Sequence, residues 1–228
     1  MREQALNESV QAADAASELA RRIAVLPPSL ANAEMNVVVD EVDAARAREY
    51  ALLSALLGRA PDLDLLSRLA NLQVDPTPLG VAHAGLAQAA RIADVEQVGR
   101  EFFNLFIGLG RGELLPYGSY YLTGFLHERP LARLRADLAA LGIERAEDKY
   151  EPEDHIATLC EVMAALAGAS FAAPAGADQR LFEKHIAPWA HRFFRDLERA
   201  DAAGFYRSVG TVGRTFIEIE MEAFALPS

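Results

Sequence analysis

Residues 150–160 read YEPEDHIATLC, which sets three carboxylates, Glu151, Glu153 and Asp154, beside His155 and directly around Pro152. No other stretch of the chain concentrates as much ionisable chemistry. Carboxylates next to an imidazole can move protons, bind a divalent cation, start a helix or hold a cationic ligand, and the residue types alone leave all four open. Helix capping explains part of the pattern. Pro152 suits a first helical position, and Glu153 and Asp154 in a first turn would meet the positive end of the helix dipole, worth about 0.3–1 kcal/mol each. It does not explain His155, because a cationic side chain in a first turn is opposed by the same dipole.

Elsewhere the candidate chemistry is thinner. Histidines stand at 83, 127, 155, 185 and 191 without an HxxxH or HExxH pair, so no metal site is expected. His83 and His185 fall on apolar faces and read as satisfied core histidines. The single cysteine, Cys160, lies on an apolar helix face and lacks a histidine at an activating spacing, and no GxSxG elbow is present. FFNLFIGLGRG, residues 102–112, could pass for a strand entering a phosphate-binding glycine loop. However, Val95, Val98, Phe102, Leu105 and Phe106 step by three, four, three and one, a helical face that ends at Gly108 in a left-handed cap. GELLPYGS follows the glycines where a dinucleotide site needs a helix.

Nearly every apolar pattern that must position these groups has the helical period, so the fold class expected is all-α. Asp40 is placed to cap a helix through Val42, Ala45, Leu52, Leu53 and Leu56 that stops at Gly58 and Pro61. A short helix uses Leu63, Leu66, Leu69 and Leu72 before the turn DPTP, and residues 79–107 hold one or two more, with Asp94 and Gln97 as an N-cap pair. Pro130 opens a helix on Leu131, Leu134, Leu138 and Leu141 that Gly142 ends, and a loop over 143–150 leads into YEPEDH. Ile156, Leu159, Cys160, Met163 and Leu166 line the next helix. The last two are predicted over Asp178 to about Leu197, kinked at Pro188, and from about Ala202 to Phe224 on Phe205, Val209, Val212, Phe216 and Ile219. Residues 1–39 read as a weakly tied N-terminal arm, and 40–228 as one helical domain.

The 228 residues are 51% hydrophobic, enough for a real core. With 22 basic and 33 acidic side chains the net charge is −11, which disfavours phosphate backbones and anionic lipid and suits a cationic partner. No run approaches the roughly 18 apolar residues of a membrane span. The pair Arg21-Arg22 is followed too soon by Pro27-Pro28 to make an export signal, and one cysteine fits a reducing compartment, so a cytoplasmic location is expected.

EPEDHIATLCEVMAAL resembles the EPxDH signature of the TorD, DmsD and NarJ superfamily, chaperones dedicated to molybdenum-containing oxidoreductases. FFNLFIGLGRGELLPYGSYYL is similar to that superfamily's LF-G loop followed by PPYxSxYL, and HIAPWAHRFFRDLERADAAGFYRSVG to its late histidine-to-tryptophan helix and FY pair. The likeness runs from about Val95 to Phe224, is weaker over 40–94 and omits the arm. Leu115 stands where many members have the first of two prolines, and Gly118 where an acidic residue is frequent.

The resemblance implies a compact bundle of about eight or more helices with no catalytic turnover, no cofactor and no metal. It implies a cytoplasmic chaperone that binds the twin-arginine signal peptide, or N-terminal segment, of a molybdoenzyme precursor until its cofactor is inserted. Matched residue by residue, Glu151, Pro152, Asp154 and His155 carry EPxDH, Tyr117, Ser119 and Tyr120 the aromatic-serine loop, and Phe106 and Gly108 the LF-G turn. These nine are the expected peptide-binding residues. A leader with a basic head and an apolar segment needs carboxylates beside an apolar groove. The chain itself would be a monomer or a helix-swapped homodimer. Two other readings are an assembly subunit retained in a redox complex and a guanine-nucleotide-binding protein, the latter opposed by the missing phosphate loop.

Overall fold

The computed structural model describes residues 24–25, 39–72, 74–145 and 151–226. Within them the chain forms ten α-helices: α1 Glu41–Gly58, α2 Leu63–Ala70, α3 Pro78–Arg91, α4 Val95–Phe102, α5 Gly118–Thr123, α6 Arg129–Ala140, α7 Ile156–Ala167, α8 Ala177–His185, α9 Ala190–Arg199 and α10 Phe205–Ala225. The all-α expectation holds. The described residues carry one small sheet, β1 Ala24–Val25 paired antiparallel with β2 Ile143–Glu144, so part of the loop expected over 143–150 is extended. The arm expected over 1–39 otherwise lies almost wholly outside the described residues.

Local chemistry sets the starts of the first four helices. Asp40, Asp62, Thr77 and Asp94 each accept, through the side chain, the backbone N–H three residues on. Each removes one orphan donor, worth about 0.5–2 kcal/mol. Residues 79–107 resolve into α3 and α4, and α4 runs on as a π-helical turn over Phe103–Ile107. It ends at Gly108 with φ +63° and ψ 173°, a positive φ but an extended rather than left-handed helical ψ. Arg111 backbone would lie against any Cβ there, so glycine is required.

The core is built on α7, whose Ile156, Leu159, Cys160 and Met163 are fully buried against α1. Across it lie Tyr50, Leu53 and Leu56 of α1, Phe193 and Phe194 of α9, and Tyr206, Val209, Val212 and Ile217 of α10. Burying each large apolar side chain contributes about 1.5–3 kcal/mol. Polar ties fix the register of these helices. Arg46 on α1 donates to both oxygens of buried Glu220 on α10, at 2.8 and 2.9 Å, and Tyr50 donates to the same carboxylate at 2.8 Å.

Three expectations need correction. Val42, Ala45, Leu63 and Val95 are exposed, because spacing identifies a face but not how far along a helix its neighbour covers it. Ile219 is also exposed, since the buried face of α10 passes instead through Ile217 and Glu220, the latter drawn inward by Arg46. The helix expected over 178–197 with a kink is two helices separated by residues 186–189. Pro188 has no N–H to continue the ladder. The Trp189 indole N–H instead takes the His185 carbonyl at 2.6 Å. The last helix likewise begins at Phe205 rather than near Ala202.

Candidate functional site

EPEDH is not the first turn of a helix. α7 starts at Ile156 with His155 as its N-cap, so Pro152 is not a first helical position and Glu153 and Asp154 precede the helix. The reason is competition for the backbone. The Asp154 carbonyl accepts the Gly118 N–H at 2.9 Å and Ile156 N–H donates to the Pro116 carbonyl at 2.9 Å, closing an antiparallel bridge between Tyr117 and His155. His155 N–H turns back to the Pro152 carbonyl at 3.1 Å.

This geometry removes the electrostatic objection to His155. Its Nδ1 accepts the Ala157 N–H at 3.1 Å, which requires a neutral ring with the proton on Nε2. Burial pushes the imidazole pKa down to about 4, against the opposing pull of Glu151 and Asp154. No cation faces the helix dipole.

Asp154 is the second key group. It is 3% exposed, and its Oδ2 accepts the Ser119 N–H at 2.7 Å, capping α5 from across the chain. Its Oδ1 has no partner, and neither does the buried Ser119 Oγ. A buried carboxylate oxygen without a donor is uncommon and costly, so it needs an explanation. Asp154 lines a cleft of about 500 Å³ whose walls include Leu122 from α5, Pro130 and Leu134 from α6 and His185 from α8.

Behind Asp154, Tyr117 donates its hydroxyl to Glu151 at 2.6 Å and sets its ring edge-on to His155 at 5.1 Å. Burial, reinforced by Glu151, pushes the Tyr117 phenol well above its ordinary range, so it remains a donor. Glu153 is occupied: Arg135 donates Nε–H to its Oε2 at 2.9 Å and brings Nη2 within 2.8 Å of the same oxygen. Gly118 is fitted to Trp189, since a Cβ there would lie 3.0 Å from the indole nitrogen and 3.2 Å from Cε2. An acidic side chain at 118 would require that buried tryptophan to shift.

The structure therefore brings together Glu151, Pro152, Asp154, His155, Tyr117 and Ser119, although of the nine expected residues Asp154 is the one that lines the cleft. Tyr120 is next along α5, where Arg111 donates to its hydroxyl at 2.9 Å. Phe106 packs against Phe102 and Tyr206, with ring centroids at 5.1 and 5.5 Å, and Gly108 closes the turn after it; neither lines the cleft. Sequence reasoning missed the α6 wall. Pro130 and Leu134 read as helix start and core stripe, and Asp137 carried no signal at all. Among the described residues no group of His, Cys, Asp or Glu is arranged to hold a metal ion, and no helix is long and apolar enough to cross a membrane.

A family model described as nitrate reductase delta subunit matches residues 73–195, more than half of the chain. The chaperone protein TorD of Vibrio cholerae serotype O1 is 28% identical over 131 residues, covering 54% of this chain and 60% of that one. TorD of Vibrio vulnificus is 24% identical over 186 residues, covering 72% and 86%. The chain thus spans about 60% of the length of the first of these relatives. A solved chain described as a redox enzyme maturation protein, from Archaeoglobus fulgidus, aligns with a TM-score of 0.49 and 20% identity over 85% of this chain and 99% of that one. By the extent of the family match and the order of its motifs, the chain belongs to the nitrate reductase delta subunit family, within the TorD, DmsD and NarJ superfamily.

Proposed function

We propose that this chain is a maturation chaperone that binds the basic, partly apolar N-terminal leader of a molybdenum-containing oxidoreductase precursor and holds it until the cofactor is inserted. The observation that carries this reading is the buried Asp154 carboxylate, which lines an open cleft with one oxygen capping α5 and the other without a donor. A guanidinium supplies the missing donors in a desolvated setting, where a charge-assisted hydrogen bond is strongest. Leu122, Pro130 and Leu134 offer the apolar wall that the rest of such a leader needs. The net charge of −11 steers a basic segment toward the protein. The relatives named chaperone protein TorD support the chaperone part of this reading.

Titration of the purified chain with a synthetic twin-arginine leader tests the proposal. Affinity should decline moderately between low and high salt without vanishing, since both charge and apolar contact contribute. Equal affinity for a peptide with the two arginines separated and the apolar segment scrambled would refute it.

A further inference from the structure

The cleft holds a second carboxylate that the family motifs do not mark. Asp137, in the last turns of α6, lines the same walls as Asp154. Its Oδ2 is 2.7 Å from His185 Nε2 and accepts a long hydrogen bond from Lys184 Nζ at 3.4 Å. These two partners differ in kind. His185 is 8% exposed and fixed, its carbonyl tied to the Trp189 indole, whereas the Lys184 side chain is 57% exposed.

Glu153 is held by Arg135, and Glu151 is bonded to the Tyr117 hydroxyl; neither lines the cleft. Two carboxylates remain in its wall, Asp137 and Asp154, and two permanent cations, Arg133 and Lys184. Of these cations, Lys184 is the one paired with a cleft carboxylate. An exposed lysine pair at this distance contributes little. A guanidinium can present two donors in fixed geometry to one carboxylate and exchanges favourably with a single ammonium contact. The independent sign that the cleft takes a cation is Asp154, nine-tenths buried and half unpartnered in the same wall.

We propose that Asp137 is the second cation-binding residue of this cleft, and that Lys184 occupies it in the free protein as an internal stand-in which an incoming guanidinium displaces. The inference rests on the peptide-binding reading above and extends it from one arginine to two. His185 holds the Asp137 carboxylate in place throughout. The doubly basic head of a leader then spans Asp154 and Asp137, and Lys184 sets how strongly a ligand must compete.

Four proteins, wild type, Asp137→Asn, Lys184→Gln and Asp154→Asn, are titrated with a two-arginine leader and with two peptides that each replace one arginine by glutamine. Asparagine keeps an acceptor for His185, and Lys184 is exposed, so all four should melt within a few degrees of each other. Asp137→Asn should weaken the two-arginine leader about tenfold and leave one of the single-arginine peptides within about twofold. Lys184→Gln should strengthen the two-arginine leader by about three- to tenfold. Equal weakening of all three peptides by Asp137→Asn, or no weakening, overturns the assignment of Asp137. Weaker binding by Lys184→Gln overturns the stand-in role, because Lys184 would then be a ligand group itself. If wild type and Asp154→Asn bind the leader alike, the peptide-binding reading falls and this inference with it; if only Asp137→Asn is silent, the second site alone falls.

Discussion

Two buried carboxylates cap helices to which they do not belong, and they do it differently. Glu101, near the end of α4, accepts the Gly204, Phe205 and Tyr206 N–H groups at 2.8, 3.0 and 2.6 Å, so both oxygens are used at the start of α10. Asp154 accepts the Ser119 N–H at the start of α5 with one oxygen and leaves the other without a donor. Both are deeply buried, at 8% and 3% exposure. A helix N-terminus rewards a carboxylate in either place, through its orphan donors and its dipole. Glu101 is saturated, whereas Asp154 lines a cleft and keeps one buried oxygen without a donor. Saturation fits a residue placed for stability, and under the proposed function the unused oxygen is the one left for a ligand.

The comparison breaks most easily at Glu101. Glu101→Ala leaves three donors without their acceptor, two of them buried, and should cost about 2–4 kcal/mol in urea denaturation, while molecules that remain folded bind a leader normally. A loss below about 1 kcal/mol would show that saturation is not what makes this carboxylate structural.

Acid pH examines the other junction through His155. Its folded pKa lies near 4, below the ordinary 6.5, so between those values the unfolded chain binds more protons than the folded one. Stability should therefore fall as pH drops from 6.5 toward 4, by up to about 3 kcal/mol from this group, and the contribution should stop changing below that window. His155→Asn keeps a side-chain acceptor for the Ala157 N–H and should flatten this part of the profile. An unchanged slope would mean that other groups set it.

The smallest effect belongs to Tyr117→Phe. It removes one partly exposed hydrogen bond to Glu151 and should cost about 0.5–1 kcal/mol by thermal melting, with leader affinity within about threefold. A larger loss of binding would move Tyr117 from the support of the junction into the contact surface.

Much of the fold was legible because it rests on local chemistry. Asp40 and Asp94 cap the helices expected of them, and Pro130 opens α6 ahead of the Leu131, Leu134 and Leu138 stripe. The helix start that local rules offer for a proline and acids at 151–155 fails because the backbone partners of this junction, Pro116 and Gly118, lie more than thirty residues upstream. His155 conflicted with that reading, and the conflict was informative: its neutral ring caps α7 instead of charging it. Asp137 was invisible, since a carboxylate on the polar side of an amphipathic helix looks the same whether or not a cleft opens beside it. Glu220 was equally hidden, because its burial depends on Arg46, 174 residues away.

Calorimetric titration of a twin-arginine leader into wild type and Asp154→Asn tests the central claim most directly. The amide oxygen can still accept the Ser119 N–H, so α5 should stay capped and the melting temperature should remain within a few degrees, while the charge offered to the ligand is gone. Losing a desolvated charge-assisted contact of about 2–5 kcal/mol predicts at least a thirtyfold drop in affinity. Equal affinity in the two proteins, both folded, would make Asp154 a helix cap like Glu101 and contradict the proposed site.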